Sequence, residues 1–171
     1  MSTMNVLICQ QPKELVWKQR EIPIPGDNEA LIKIKSVGIC GTDIHAWGGN
    51  QPFFSYPRVL GHEICGEIVG LGKNIADLKN GQQVAVIPYV ACQQCPACKS
   101  GRTNCCEKIS VIGVHQDGGF SEYLSVPVAN ILPADGIDPQ AAALIEPFAI
   151  SAHAVRRAAI APGEQVLVVG A

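Results

Sequence analysis

Residues 91–107 read ACQQCPACKSGRTNCCE, and five of these seventeen residues are cysteine. Cys92, Cys95 and Cys98 stand as C-x2-C-x2-C, with Cys105 and Cys106 shortly after. Thiolates spaced in this way can curl round one ion, and a return loop supplies the fourth sulfur. Four sulfurs leave no coordination position open, so such a site is structural rather than catalytic. Zinc is the first choice of ion, and an iron–sulfur cluster is the rival, because C-x2-C-x2-C also opens some cluster motifs. Spacing alone does not choose between Cys105 and Cys106. Structural zinc contributes about 10–16 kcal/mol of apparent binding energy in small peptides. That is enough to order a polar, glycine-containing lobe at residues 90–108 that has little core of its own.

A second set of candidates has a different character. Cys40, His62 and Glu63 offer a thiolate, an imidazole and a carboxylate. Three protein ligands with a fourth position free describe a catalytic zinc. Periodicity does not by itself bring residue 40 to residue 62. Taken singly, a lone Cys or His is more often a packed core residue.

The elements that must position these groups change character along the chain. In ALIKIKSVGIC (30–40), Ile32 and Ile34 alternate with Lys33 and Lys35, the pattern of a half-buried strand. EICGEIVGLG (63–72), GQQVAVIPYV (81–90) and GFSEYLSVP (119–127) also read as strands bounded by glycine and proline. An all-β module therefore extends to about residue 130. Asp138 then suits a helix N-cap and Pro139 the first helical position. A short helix over AAALIE is expected to stop near Pro147, and 148–159 has helical composition. VLVVG (166–170) is a continuous apolar run of the kind found in parallel strands buried on both faces. It looks like the first strand of an α/β unit that is cut off.

The totals narrow the function classes. The chain has 171 residues, a net charge of -2, 47% hydrophobic and 16% charged residues. No basic run exceeds a pair, which argues against nucleic acid as a partner. Apolar runs fall short of the roughly 20 residues of a membrane span. The N-terminal residues show neither a basic region nor a cleavage site, so the expected location is the cytoplasm, with cysteines reduced. Cys9 and Cys65 are expected to be small buried groups, and His115 and His153 surface or core residues.

The segment from Gly61 to Ile75 reads GHE-x2-G-x5-G-x2-I, and residues 40–45 read C-G-T-D-x-H. With C-x2-C-x2-C-x7-C, GGFSEY (118–123) and the terminal VLVVGA, in this order, the chain resembles the zinc-dependent medium-chain alcohol and polyol dehydrogenases. The resemblance spans the whole sequence. It implies a mainly β, GroES-like (chaperonin-10-like) catalytic barrel over residues 1–145. Residues 146–171 would be a connecting helix and the first strand of a truncated, NAD-binding Rossmann domain. It selects Cys106 as the fourth structural ligand and leaves Cys105 spare.

The resemblance also implies roles. Cys40, His62 and Glu63 would hold a catalytic zinc, with Glu146 as fourth ligand or water-mediated neighbour. Glu146 stands in LIEPFAISAHA, where sorbitol-, threonine- and sugar-acid dehydrogenases carry glutamate-proline. Asp43 would orient His62, Thr42 would take the substrate proton and His45 would pass it to solvent. Thr42 and Gly170 would face NAD. Two zincs per full-length subunit and a homo-dimer or homo-tetramer are implied. The substrate would be a polyol or sugar acid, nearest to L-galactonate going to D-tagaturonate, with L-idonate, sorbitol and threonine types as neighbours. Trp47, Phe54 and Tyr56 are pocket candidates. A non-catalytic, zinc-stabilised scaffold is the alternative from another class.

Overall fold

The computed structural model of the chain describes residues 2–169. Ten strands and four α-helices follow one another, most of them short. β1 (Thr3–Gln11) and β2 (Glu14–Glu21) form a hairpin. Its loop has Pro12 followed by Lys13 at φ 66°, proline at the first and a left-handed residue at the second central position of a turn. β3 (Glu29–Gly38) leads to α1 (Gly41–Gly48), then β4 (Arg58–Val59) and β5 (Glu63–Leu71). β6 (Gln83–Val86) and β7 (Tyr89–Val90) precede α2 (Pro96–Lys99), and β8 (Ser110–Val111) follows the cysteine-rich loop. β9 (Tyr123–Pro127), β10 (Ile131–Pro133), α3 (Pro139–Ala143) and α4 (Ile145–Ala158) complete the order.

The strands form three open, antiparallel sheets: β2-β1-β4, β10-β6-β5-β3-β9 and β7-β8. The central sheet carries the core, in which Ala30, Ile32, Ile64, Ile68, Val84 and Val126 are fully buried. Each branched side chain taken out of water contributes roughly 1.5–3 kcal/mol. The alternation seen at 32–35 is borne out, since Ile32 faces the core while Lys33 and Lys35 face solvent. The run 81–90 is two strands rather than one, broken at Ile87-Pro88.

The first sheet is joined to the central one by the glycine pair of GGFSEY. Gly118, Gly119 and Phe120 donate their amides to the carbonyls of Val59, Gly61 and Leu60 at 2.8–2.9 Å. The carbonyl of Phe120 in turn accepts from Leu7 N–H at 2.8 Å. These bonds pin the segment that ends in His62.

One helix is not anticipated in the sequence reading, and two sequence-based expectations need correction. GTDIHAWG is a helix, α1, closed by Gly49 at φ 80°. The break between the last two helices lies at Leu144, and α4 runs through Pro147. In the first turn of a helix the amide has no intrahelical acceptor, so proline is tolerated there. Residues 166–169 form no strand, and Leu167 is 86% exposed. A parallel strand exists only by pairing, and no strand of the described residues reaches it. By contrast, Asp138 caps α3 as expected, accepting from Gln140 and Ala141 N–H at 2.9 and 3.2 Å. No helix of the described residues is long and apolar enough to cross a membrane.

Asp117 fastens the same junction. It accepts from Arg20 at 2.6 Å, from Arg58 at 3.4 Å and from Val59 N–H at 3.0 Å. Partial burial pushes its carboxyl up, but the Val59 amide and the two guanidinium groups outweigh that and leave it below its usual value. A depressed folded-state pKa contributes stability above the unfolded value, about 3.9, that is lost as pH falls through the folded value. Asp117→Asn is therefore expected to lower the thermal midpoint at neutral pH, with the difference from wild type shrinking below about pH 4. Thermal melts from pH 7 to pH 3 check this, and a pH-independent difference would contradict it.

Candidate metal centres

Among the described residues, two groups of three or more metal-ligating side chains converge. Cys92, Cys95, Cys98 and Cys106 have their sulfurs within 4.8 Å of one another, as do the donor atoms of Cys40, His62 and Glu63.

The first group is built by a tight knuckle. Gln93 adopts φ 59°, which curls the chain after Cys92. Cys95 is the N-cap of α2, and Cys98 lies on that helix. A short 3-10 turn over Thr103–Cys105 then returns Cys106 to the cluster. Cys92 and Cys98 sulfurs are 4.0 Å apart. This matches the edge of a tetrahedron with metal–sulfur bonds of about 2.3 Å. It is far from the roughly 2.05 Å of a disulfide, and all the cysteines are free thiols. An edge of this size encloses a single ion rather than a multi-iron cluster. The Cys106 sulfur accepts from Cys92 and Lys108 N–H at 3.3 and 3.4 Å. Amides of Gln94 and Cys95 pull the Cys92 thiol down to about 6, and those of Cys98 and Glu107 lower Cys95. Burial, with the neighbouring sulfurs, pushes Cys98 up to about 12. Four crowded sulfurs cannot all carry charge unless a cation neutralises them, so the donor set fits a divalent ion. Cys105 is exposed and outside the group.

The second group joins two segments more than twenty residues apart. Cys40 is the N-cap of α1, and His62 and Glu63 lie at the entry to β5. Asp43, in the first turn of α1, ties the two together. Its Oδ2 accepts from Cys40 N–H at 2.9 Å and its Oδ1 from Gly61 N–H at 3.0 Å. His62 Nδ1 lies 3.8 Å from the same Oδ1, too long for a hydrogen bond, and is buried without a partner. Two glycines make room. Gly61 has φ 91°, and a Cβ there would run into the Phe120 ring at 2.7 Å. Gly38 pairs across the sheet with Glu63, and a Cβ on it would overlap the Glu63 side chain.

Bringing a thiol, a buried imidazole and a buried carboxylate within 4.8 Å of one another is costly in a metal-free protein. Coordination of zinc by Cys, His and Glu, with a fourth position free, fits the donor types. Thr42 and His45 are three residues apart on one face of α1, the first half-buried and the second exposed. Glu146 is buried in the first turn of α4 but does not join the group of three. Its Oε1 accepts from Tyr89 OH at 2.6 Å. Burial, this bond and the negative charges of Glu146, Cys40 and Glu63 together raise the Tyr89 phenol. Tyr89 is the residue of this region that sequence reasoning missed. Its only signal was its place between Pro88 and the first cysteine of the lobe. Gly170 lies outside the described residues. Phe54 and Tyr56 pack on Cys9, Ala46 and Leu60, whereas Trp47 lines a cleft of about 550 Å³ with Ile39, Asp43, Ile44 and Leu60. Cys9 and Cys65 are buried, and His115 and His153 exposed, as expected.

Residues 26–136 match the alcohol dehydrogenase GroES-like domain. An uncharacterized zinc-type alcohol dehydrogenase-like protein of Haemophilus influenzae is 43% identical over 171 residues, covering 98% of this chain and 50% of that protein. The crystal structure of the rspB alcohol dehydrogenase of Escherichia coli CFT073 with NADH superposes with a TM-score of 0.85 at 40% identity, over 92% of this chain and 46% of that one. Galactitol-1-phosphate dehydrogenase of Escherichia coli gives 0.86 at 33% identity, over 91% and 45%. The chain thus spans about half the length of the relatives it matches. With the family's domain matched over most of its strands, and the two sets of converging donors lying in or beside that match, the chain belongs to the zinc-type alcohol dehydrogenase family with a GroES-like domain.

Proposed function

We propose that the protein is a zinc-dependent oxidoreductase that moves a hydride from a secondary alcohol of a polyol or sugar acid to NAD. Its preferred substrate in this reading is L-galactonate, oxidised to D-tagaturonate, ahead of L-idonate, sorbitol or threonine. The observation that carries the proposal is the meeting of Cys40, His62 and Glu63 within 4.8 Å. NADH in the rspB structure supports the cofactor, and the galactitol-1-phosphate dehydrogenase likeness supports the substrate class.

In this mechanism Cys40, His62 and Glu63 would hold zinc, and Cys92, Cys95, Cys98 and Cys106 would hold a second, structural zinc. Zinc at the first site supplies Lewis-acid polarisation of an alcohol oxygen, worth several kcal/mol of charge stabilisation. Thr42 Oγ1 would accept the hydroxyl proton while releasing its own, and His45, one turn along the same face, would pass a proton on to solvent. Such a positioned relay contributes about 10²–10⁴-fold. Asp43 holds the two ligand segments in register and presents a negative charge to His62. Bound NAD would supply the hydride acceptor, so that the substrate carbon losing the hydride would become a carbonyl. Thr42 and Gly170 are assigned to the cofactor side. Residues 1–145 form the catalytic domain, and 146–171 connect to a Rossmann domain. Exposed Phe148, Ile150 and Val155 on α4 support that second domain as a packing partner. The full-length protein is assigned to the cytoplasm as a homo-dimer or homo-tetramer.

Two substitutions separate the metals. In the full-length protein, Cys40→Ala is expected to leave the fold intact and lower kcat by about a thousandfold or more, at 1.36 kcal/mol per tenfold. Steady-state NADH production from L-galactonate, L-idonate, sorbitol and threonine reads both the loss and the substrate. Retained turnover in Cys40→Ala would refute the catalytic centre, and silence towards both sugar acids would refute the substrate. Cys95→Ser is expected to remove one metal per chain and loosen residues 90–108, whereas Cys105→Ser removes none. Elemental analysis with hydrogen exchange checks this, and full metal content in Cys95→Ser would refute the structural site.

A further inference from the structure

Glu146 is a carboxylate buried in the first turn of α4, and it does not join the three converging donors. Its oxygen is taken by the hydroxyl of Tyr89 at 2.6 Å. Tyr89 is 41% exposed, but its backbone is fixed on several sides. The side-chain amide of buried Asn130 donates to the carbonyls of Ile87 and Tyr89 at 2.8 and 3.1 Å. Ile112 N–H bonds the Pro88 carbonyl at 2.9 Å, and Tyr89 pairs with Val111 in the β7-β8 ribbon. Tyr89 and Glu146 share a cleft of about 330 Å³ with His153, and its remaining walls, including Val86, Leu132 and Ile150, are apolar. In such walls a phenol donating to a carboxylate makes a strong, charge-assisted bond. Cys40 and Glu63 lie within electrostatic reach of that phenol.

We infer that Tyr89 is a positioning residue: its hydroxyl holds the Glu146 carboxylate beside the Cys40, His62 and Glu63 group and out of the fourth position, which stays free for the substrate oxygen. The inference rests on the metal centre proposed above. Without the phenol, Glu146 swings in as a fourth protein ligand, and an open site becomes a closed one of the structural kind.

The test compares the full-length wild type with Tyr89→Phe, Glu146→Gln and the double variant, each loaded with zinc or cobalt. Tyr89→Phe keeps the ring and its packing. It is expected to lower kcat/KM about 10–100-fold, to slow release of the metal to a chelator, and to shift the cobalt d–d bands. The double variant, having no carboxylate to swing in, returns the release rate and the bands to wild type. Glu146→Gln alone releases metal at the wild-type rate. Release from Tyr89→Phe as fast as wild type or faster, with two metals bound in wild type, overturns the inference alone. Faster release from Glu146→Gln alone also overturns it, because Glu146 would then already be a ligand. Wild type binding only the four-cysteine metal overturns the metal centre and this inference together.

Discussion

A metal site assembled from distant parts of a chain needs something other than the metal to hold those parts. Here it is one buried carboxylate. Asp43 is 3% exposed, and it spends its two oxygens on the amides of Cys40 and Gly61. One of these belongs to the first donor residue, and the other immediately precedes the second. An uncompensated carboxylate at this depth costs several kcal/mol, so the two amides are required partners. The same bonds that stabilise Asp43 thereby set the separation of Cys40 and His62.

The rest of the scaffold supports that clamp. The Gly118–Phe120 ladder holds the segment before His62 in place, and Gly38 leaves the space that the Glu63 side chain fills. Glu63 is buried beside Cys40, and Glu146 is buried against Tyr89, so this part of the fold gathers acidic groups. Like charges confined together repel strongly in a medium of low polarity. A divalent cation relieves that repulsion, which is why electrostatics and ligand geometry lead to the same reading. The cysteine lobe solves a related problem differently. Its four sulfurs close a site completely and replace a hydrophobic core that the 90–108 segment is too polar to build.

Much of this was legible in the sequence because it rests on short-range rules. Alternation at 32–35 and the cysteine spacings are local, and so is the Asp138-Pro139 start of α3. The resemblance to the family, rather than a short-range rule, joined Cys40 to His62 and selected Cys106 over Cys105. What escaped depends on contacts between distant residues. α1 carries glycine at both ends and β-branched residues within, so its composition hides a helix that Asp43 stabilises. Pro147 looked like a helix stop, but the break at Leu144 moved it into a first turn. The run at 166–169 has strand composition, but no strand among the described residues pairs with it. The Tyr89–Glu146 bond joins residues 57 positions apart, and no pattern in either neighbourhood announces it.

The central claim is that Cys40, His62 and Glu63 share one metal ion. Anomalous diffraction at the zinc edge from metal-replete crystals of the full-length protein tests it most directly. The account predicts two peaks per chain, one inside the four-cysteine lobe and one about 2.0–2.3 Å from the donor atoms of Cys40, His62 and Glu63. A single peak, confined to the lobe, would contradict it.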